Sequence, residues 1–227
     1  ADAEGQVLAT AEGLGTVQLA ANGITPWTPE TPALYTLRVN VTANGTADTA
    51  EQRIGIRTIQ VSSKTGLLLN GQPRTMKGGC IHHDLGILGA ADHADAERRR
   101  IRLMKESGFD AIRAAHNPFG PAFLDACDEL GMLVVEEAFD EWVMGRTSFG
   151  LRVTFEQCWE KDLEDMITRD YNHPCIVMWS TGNEVEERDG TADGFAWAKR
   201  LANKVRSLDA SRPVSATACA LFSEYGN

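Results

Sequence analysis

From Ser62 onward, short apolar segments alternate with longer segments in which apolar residues recur every three to four positions. The short segments are typical of buried strands, and the longer ones are typical of helices that pack one face against a sheet. Regular alternation of the two predicts βα units with parallel strands. We expect five strands, which are Met76–Ile81, Asp110–Ala115, Met132–Glu137, Cys175–Ser180 and Pro213–Thr217. Such units are typical of a (β/α)8 barrel, which takes roughly 250 residues to complete.

Residues typical of helix ends stand between these strands. Gly108 and Gly131 each follow an amphipathic segment, where a glycine can end a helix in the left-handed conformation. Pro121 stands where the second helix begins, and a first helical position tolerates the missing N–H. Thr154 and Gln157 have the spacing of a capping box at the start of the third helix. The sequence therefore predicts helices between the strands.

A doubly wound open sheet is the alternative arrangement of such units. Sheets of that kind that bind nucleotides carry a glycine-rich phosphate loop directly after the first strand. Here the paired glycines Gly78 and Gly79 lie within the first predicted strand instead. The barrel is therefore favoured.

The first 63 residues follow a different pattern, with a period of two. Apolar and polar residues alternate over Tyr35–Val41, which predicts a half-buried strand, and the turn pair Asn44-Gly45 follows it. A second strand is predicted over Ile54–Val61, with an irregularity near its middle. Gln6–Thr10 and Gly15–Ala20 are candidates for two further short strands. About four strands are fewer than the ~7 of a complete immunoglobulin-like sandwich.

Together these patterns predict an α/β fold class, namely a partial (β/α)8 TIM barrel preceded by a partial all-β immunoglobulin-like sandwich. Residues 1–63 are the predicted C-terminal part of the sandwich domain, and residues 64–227 are the predicted N-terminal part of the barrel domain, with about five βα units. Because neither unit is complete, we expect the chain to be a fragment truncated at both ends.

The charge of the chain limits its partners. The formal net charge is −10 and the isoelectric point is about 5.0. This acidic balance argues against binding to nucleic acids or anionic membrane surfaces, whose phosphates attract lysine and arginine. No apolar stretch reaches the ~18 residues of a membrane span. We therefore expect neither a nucleic acid nor a membrane as a partner.

The five cysteines bear on the cellular compartment. They are odd in number, widely scattered and without a CxxC pair, so neither a zinc site nor a full disulfide framework is predicted. Thiols of this kind are typical of small core residues in a reducing compartment. The N-terminal residues lack the basic and apolar regions of a signal peptide. We expect a cytoplasmic protein, unless a signal precedes the fragment.

Polar side chains follow the predicted strands at their carboxyl ends. In a barrel these ends converge on one face, where enzymes of this architecture build their active sites. The residues at these ends are His82, His83 and Asp84 after the first strand, His116 and Asn117 after the second, Glu136, Glu137, Asp140 and Glu141 at the third, and Asn183 and Glu184 at the fourth. The sequence therefore predicts one cleft with carboxylates, imidazoles and an amide.

Several stretches resemble glycoside hydrolase family 2, which includes β-galactosidases and β-glucuronidases. The segment Ile176–Glu184 resembles the family's Asn-Glu motif at the end of barrel strand four. The stretches His116–Pro118 and Phe123–Gly131 resemble the region around its second strand, and Arg169–Pro174 resembles the lead into its fourth. Further likeness to the end of the family's sandwich domain lies in Thr25–Pro32 and Ile54–Ile59. The resemblance extends over nearly the whole chain, with the motifs in the family's order.

This resemblance implies a retaining β-glycoside hydrolase that works by double displacement. Such enzymes need one carboxylic acid to protonate the departing oxygen and a second carboxylate ~5–5.5 Å away as the nucleophile. The resemblance implies that Glu184 is the acid/base and that the nucleophile follows strand seven, beyond Asn227. Glu224, in Ser223-Glu224-Tyr225-Gly226, resembles the sequence around some family nucleophiles, but it lies too soon after the fifth strand. We therefore expect the fragment alone to be inactive.

The resemblance also implies contacts to the sugar. Asn183 is expected to hydrogen-bond the 2-hydroxyl, and His116 and Asp84 match positions that bind other hydroxyls. His83 is a further candidate for substrate binding. Trp179 is either a platform for the sugar or a packing residue of the barrel.

Glu136 and Glu137 are expected to serve as scaffolding. Both are predicted to form an ion pair with Arg113 across neighbouring strands, with a secondary contact to the substrate. Of the two, Glu137 is the candidate for substrate binding.

No cofactor and no metal are expected. Some family members bind a divalent cation through a carboxylate and a histidine after strand three. Glu141 matches the carboxylate, but Val143 stands in the place of the histidine. The chain thus departs from the metal-binding pattern.

The sequence favours a β-galactosidase-like activity on terminal β-linked sugars, with a carbohydrate as the partner. A β-glucuronidase or β-mannosidase of the same family is the alternative within the class. A catalytically silent carbohydrate-binding or structural fragment is the alternative outside it. Because a half-barrel has open sheet edges and uncovered apolar faces, self-association is also expected.

Overall fold

Ten strands and four α-helices make up the parts of the chain that the computed structural model describes, residues 1–145, 148–189 and 192–217. The strands are β1 Tyr35–Ala43, β2 Thr46–Ile54, β3 Ile59–Ser62, β4 Gly66–Leu69, β5 Gln72–Pro73, β6 Gly78–Ile81, β7 Ala111–Ala114, β8 Leu133–Glu137, β9 Ile176–Asn183 and β10 Val214–Thr217. The helices are α1 Ala94–Glu106, α2 Pro121–Leu130, α3 Phe155–Asp170 and α4 Ala192–Leu208. Short 3-10 turns lie at Gly86–Leu88, Leu151–Val153 and Glu186–Asp189.

A five-stranded parallel sheet organises the second region. Its strand order is β10-β9-β8-β7-β6, so neighbours in space are also neighbours in sequence. A doubly wound sheet would reverse its order at a switch point. Sequential order with a helix after each of β6 to β9 is instead the arrangement of a barrel arc. The predicted fold class, a partial α/β barrel after a β region, is confirmed.

The predicted bounds in this region are close to the observed ones. Pro121 stands at the start of α2, and Gly131 ends that helix with a φ of +72° and its N–H bonded to the Cys127 carbonyl. Thr154 lies at the N-cap of α3, but its side chain makes no capping hydrogen bond. The capping box expected from Thr154 and Gln157 is therefore wrong, although the helix begins where the pattern placed it.

Two small antiparallel sheets precede the parallel sheet. β1 and β2 form a hairpin across Asn44 and Gly45, both with positive φ as a tight hairpin turn requires. β3, β4 and β5 form the second sheet, of which only β3 was expected. The predicted strand Ile54–Val61 is interrupted after Ile54 and resumes at Ile59; in the gap, Gly55 lies so close to Pro174 that a Cβ there would collide with it.

The two short strands expected near the N-terminus do not form. Gln6–Thr10 and Gly15–Ala20 have no strand conformation, and no strand begins before Tyr35 in the described residues. Their apolar residues are largely exposed, as with Val7 at 64%. A strand needs a partner to satisfy its backbone groups, and these segments have none within the described residues. Apolar residues alone are therefore not sufficient to make a strand here.

The first region packs against the end of the barrel where the strands begin. Trp27 is fully buried, and its indole N–H donates to the Asp128 carbonyl over 2.9 Å. Lys105 Nζ donates to the carbonyls of Pro29, at 2.7 Å, and Gly131, at 2.9 Å. These contacts are made at or just after the C-terminal ends of α1 and α2, on the side of the barrel where the strands begin.

Arg57 strengthens the same contact. Its guanidinium donates to the carbonyls of Pro174, at 3.0 Å, and Ile176, at 2.7 Å. Burial, and then the neighbouring charge of Arg212, lower the pKa of Arg57 to about 10. This pKa still leaves the guanidinium charged at neutral pH. The two carbonyls at the start of β9 are thereby held by a cation from the first region.

The predicted boundary between residues 63 and 64 falls in the turn that joins β3 to β4. The division of the chain into a sandwich domain and a barrel domain at this point stays a prediction. No helix in the described parts of the chain is both long enough and apolar enough to cross a membrane.

Replacing Gly131 tests the contact between the two regions. A Cβ at Gly131 would collide with the Pro29 carbonyl, and its φ of +72° is strained for an L-residue. We expect Gly131→Ala to lower the free energy of unfolding by about 2–5 kcal/mol, the sum of backbone strain and overpacking. Gly108→Ala is the matched control, because φ is +90° there but a Cβ would meet nothing within 4 Å. It should cost only about 1–2 kcal/mol in urea denaturation; equal losses would contradict the contact.

His173 predicts how stability depends on pH. Burial is the largest single influence and opposes its charged form, but the hydrogen bond to Asp128, at 2.6 Å, and the negative charges of Asp128, Asp170 and Asp125 together raise the pKa of His173. The pair therefore stabilises the fold fully below the unfolded pKa of about 6.5, and this contribution is lost as the pH rises through the raised folded pKa.

Denaturation of the wild type and of His173→Gln over pH 5.5–8.5 measures this contribution. We expect a gap of roughly 1–3 kcal/mol at low pH, the range for a hydrogen bond to a charged group, that shrinks as the pH rises. A gap that widens toward high pH would show that the sign is wrong.

Candidate active site

The pleat of the parallel sheet decides which side chains enter the candidate cleft. Ile81, Ala114, Glu136 and Trp179 are paired in one row across four strands. Successive residues of a strand point to opposite faces, so the next row, which contains Glu137 and Ser180, faces the other way. Glu137 and Ser180 bond to each other, which identifies their face as the interior of the arc.

Glu137 is the centre of the interior network. Its side chain is fully buried, and Arg113 donates to both of its oxygens over 2.8–3.1 Å. His116 Nδ1 lies 2.8 Å from one oxygen, and the Ser180 hydroxyl donates to the other over 2.7 Å. The predicted pairing with Arg113 is therefore present for Glu137, but for Glu136 it is wrong, because the pleat turns that side chain to the other face of the sheet. Glu137 therefore fixes the positions of Arg113, His116 and Ser180 relative to one another.

His116 follows β7 and faces the same network. A carboxylate can only accept, so its contact places a proton on Nδ1 of the ring. The Arg113 Nη2 contact to the same nitrogen is longer, at 3.3 Å, and both groups would be donors there. We take the shorter contact as the one that orients the ring. His116 then presents its other nitrogen, Nε2, for a ligand.

Asn183 lies at the end of β9, next to the network. Its side-chain oxygen accepts from Arg113 Nη2 over 2.7 Å, and its nitrogen donates to Asp140 Oδ1 over 2.9 Å. Its backbone N–H donates to the Phe139 carbonyl over 3.1 Å. Asn183 is therefore held through both its backbone and its side chain.

Glu184 follows Asn183 and is exposed. Its φ of +46° lies in the left-handed region, which costs a non-glycine residue about 1–3 kcal/mol. The Glu184 N–H donates to the Thr217 carbonyl over 2.8 Å, so the end of β10 holds this conformation. Such strain persists only where surrounding contacts determine it, and it is concentrated at functional sites. Glu184 thus directly follows the carboxyl end of β9, and as an exposed residue it can be approached by a ligand.

His83 and Asp84 follow β6 at the same face. His83 stacks on Phe119 with ring centroids 4.0 Å apart, and its Nε2 lies 3.1 Å from the Asn117 carbonyl. The Asp84 side chain is 78% exposed, and its Oδ1 lies 3.7 Å from Arg100 Nη1. Both residues are on the rim of the cleft, outside the network around Glu137.

Trp179 does not line the cleft, so the predicted contact of its ring with the sugar is not supported. It is fully buried on the face that packs against the helices, because its row points away from the interior. Its indole N–H donates to Asp209 over 2.8 Å, before β10 begins. Of the two roles considered for Trp179, packing is therefore the one that its surroundings support.

Glu136 also points toward the helices. The Phe119 N–H donates to its Oε1 over 2.7 Å, whereas its buried Oε2 has no hydrogen-bond partner within the described parts of the chain. Burial, and then the charge of Asp170, raise the pKa of Glu136 well above its usual value. This glutamate is therefore a structural group on the helix side of the sheet and is separate from the cleft.

Two groups of side chains resemble metal ligands. Asp128, His173 and Cys175 have donor atoms within 4.8 Å of one another, at the end of the barrel away from the cleft. However, Asp128 already accepts from the His173 ring and the Cys175 N–H, which uses both of its oxygens. Glu141 is buried, and its Oε1 accepts the Arg152 N–H over 3.1 Å. In both groups the carboxylate therefore serves as an internal acceptor.

Sequence reasoning missed Asp140 and Ser180 as members of the site. Asp140 was noted only as one of several acids after β8, and Ser180 only as part of a motif. The signal for Ser180 was its register, since it lies opposite Glu137. No pattern in the sequence indicated that Asp140 would meet Asn183. Glu224, the alternative nucleophile, lies outside the described residues.

Comparisons with known proteins give one consistent family. A model of the TIM barrel domain of glycosyl hydrolases family 2 matches residues 59–223, and a second model of glycosyl hydrolases family 2 matches residues 1–57. The chain is 36% identical to the β-galactosidase BoGH2A of Bacteroides ovatus, with 95% of this chain and 30% of that protein covered.

Solved structures agree with this result. A family 2 glycosyl hydrolase from Bacteroides cellulosilyticus superposes with a TM-score of 0.91 at 38% identity, covering 96% of this chain and 29% of the other. A β-D-glucuronidase from Dictyoglomus thermophilum superposes with a TM-score of 0.84 at 27% identity, covering 96% and 38%. The chain therefore spans only about a third of the length of these relatives.

The buried pair of Glu137 and Arg113 generates a stability prediction. We expect Glu137→Gln, which keeps the shape and removes the charge, to lower the free energy of unfolding by about 3 kcal/mol, because Arg113 is left half-buried without its counter-charge. In the double variant with Arg113→Met, part of this loss should be recovered, with a coupling of about 1 kcal/mol or more. Chemical denaturation measures both quantities.

Glu106→Gln is the matched control for this prediction. Glu106 is 62% exposed and lies 3.7 Å from Arg102, so its loss should cost less than about 0.5 kcal/mol. Strict additivity of Glu137→Gln and Arg113→Met would mean that the pair does not organise the cleft.

Proposed function

The chain belongs to glycosyl hydrolase family 2, and we propose that the protein hydrolyses β-glycosides with retention of configuration, with Glu184 as the acid/base. The observation that carries the proposal is the convergence of Glu184, Asn183 and His116 at the carboxyl ends of parallel strands, around the buried Glu137. Glycoside cleavage needs a proton donor that reaches the glycosidic oxygen and neighbouring groups that hold the sugar. This face offers both.

The position of Glu184 suits proton transfer. The residue is exposed, so a bound ligand can approach it. Its backbone N–H donates to the Thr217 carbonyl, which fixes the backbone. A general acid must lie within hydrogen-bond reach of the atom that it protonates. A strained but well-held backbone fixes that reach before the substrate binds.

The second carboxylate is proposed to come from a part of the protein beyond Asn227. Retention requires a nucleophilic carboxylate ~5–5.5 Å from the acid, on the opposite face of the sugar. The described strands supply β6 to β10, and family 2 resemblance assigns the nucleophile to a seventh barrel strand. We therefore expect no turnover by these 227 residues alone.

A neutral terminal sugar such as galactose is the proposed substrate. The guanidinium of Arg113 lies within the network, but its Nε and Nη2 are bonded to Glu137 and Asn183, and its Nη1 contacts Cys80 Sγ over 3.4 Å. It is therefore poorly placed to neutralise the carboxylate of a uronic acid. This favours a β-galactoside over a β-glucuronide, and the similarity to BoGH2A supports the same choice.

A panel of substrates tests the sugar. The translation product of the complete gene should hydrolyse p-nitrophenyl β-galactoside with a kcat/KM at least about tenfold above that for the β-glucuronide and the β-mannoside. NMR of the first sugar released should give the β-anomer. A dominant β-glucuronide or β-mannoside activity would correct the sugar, and an inverted product would exclude the mechanism. Binding of galactose without any turnover would favour a silent carbohydrate-binding protein.

Glu184→Gln tests the role of the acid. A leaving group that is already a good one needs little protonation, whereas a poor one depends on it. We expect kcat/KM to fall by about 10²–10⁴-fold for an alkyl β-galactoside and far less for a dinitrophenyl β-galactoside. Glu186→Gln, two residues along the same loop, is the control and should leave both values nearly unchanged. An equal loss on both substrates would assign Glu184 a role other than the acid.

A further inference from the structure

We propose that Asp140 is a positioning residue that, together with Arg113, fixes the side-chain amide of Asn183 so that its N–H side serves the 2-position of the sugar. This inference rests on the proposed glycosidase function. It concerns Asp140, which follows β8 and is partly buried.

The two neighbours of the Asn183 side chain differ in the only way that matters for an amide. Arg113 can only donate, and it bonds to the amide oxygen over 2.7 Å. The Asp140 carboxylate accepts the amide N–H over 2.9 Å. An amide turned by half a rotation has almost the same shape, so packing alone does not choose between the two orientations. With Arg113 and Asp140 in place, the turned amide would face a donor with its N–H and an acceptor with its oxygen.

Asp140 is itself held in position by the end of β9. The segment 138–142 follows β9 through three further hydrogen bonds: Ala138 N–H to Ser180 O at 2.9 Å, Asn183 N–H to Phe139 O at 3.1 Å, and Trp142 Nε1–H to Thr181 O at 2.8 Å. Phe139 and Trp142, which lie before and after Asp140 in this segment, are both buried. The carboxylate of Asp140 therefore has little freedom to leave the amide.

The chemical consequence concerns the transition state. Hydrogen bonds to the 2-hydroxyl strengthen as the oxocarbenium-like transition state forms. A fixed amide offers its N–H without reorganisation at that moment, whereas an amide free to turn must first be ordered. Loss of Asp140 should therefore appear mainly in kcat, and only for substrates that carry a 2-hydroxyl.

The experiment pairs variants of the full translation product with two substrates, an aryl β-galactoside and its 2-deoxy analogue, each corrected for spontaneous hydrolysis. Asp140→Leu keeps a similar volume and removes the acceptor. We expect its kcat/KM to fall by about 10–100-fold on the galactoside, mostly in kcat, and by less than about threefold on the 2-deoxy analogue. Asp140→Asn retains a carbonyl that can accept the amide N–H, so it should recover most of the loss.

Trp142→Phe is the control for displacement of the segment. It removes one of the hydrogen bonds that hold the segment but leaves the Asp140 carboxylate, so any selective loss on the galactoside should be much smaller than that of Asp140→Leu. Equal losses on both substrates with Asp140→Leu would overturn the inference and leave the glycosidase function intact. A wild-type protein that hydrolyses no β-glycoside would instead overturn both. A loss of kcat/KM with Asp140→Leu on the galactoside, but not on the 2-deoxy analogue, supports the proposed positioning of Asn183 by Asp140.

Discussion

The buried carboxylate of Glu137 imposes the main constraint on this structure. A charge without exposure to water must be matched by a counter-charge and hydrogen bonds, or the fold is destabilised by several kcal/mol. Here the partners come from two neighbouring strands and the turn that follows one of them: Arg113 and His116 from β7 and its end, and Ser180 from β9. Because each partner has to be within reach of the same two oxygens, their strands have a single acceptable register. The groups proposed to bind sugar inherit their positions from that register.

The adjacent residue shows how strongly the register decides chemistry. Glu136 and Glu137 are both glutamates. Glu136 packs among the helices, where its pKa is raised, whereas Glu137 pairs with Arg113 in the interior of the arc. A shift of one residue along β8 would exchange them. The glycosidase chemistry proposed for this face thus depends on the direction of the pleat, which also buries Val134 on the helix side.

Periodicity was sufficient to predict the strands and helices of the barrel region, because buried strands and amphipathic helices leave clear patterns of apolar residues. It failed where tertiary contacts decide. The predicted strand Ile54–Val61 is interrupted where Gly55 lies against Pro174, and Trp179 packs against helices because of its place in the pleat. The resemblance in sequence motifs predicts roles for Glu184, Asn183 and His116, but the Asn183 side chain also bonds to Asp140, a neighbour that is 43 positions away. No local pattern carries that information.

The first region contacts the barrel region on the side where the strands begin, through Trp27, Arg57 and the Pro29 carbonyl. The loops that follow the strands belong to the other end and share none of these anchors. In evolution, such loops can lengthen or exchange residues without weakening the attachment of the first region. A lineage built on this plan can therefore shift from one sugar to another by small local steps, while the part that secures the architecture is inherited unchanged.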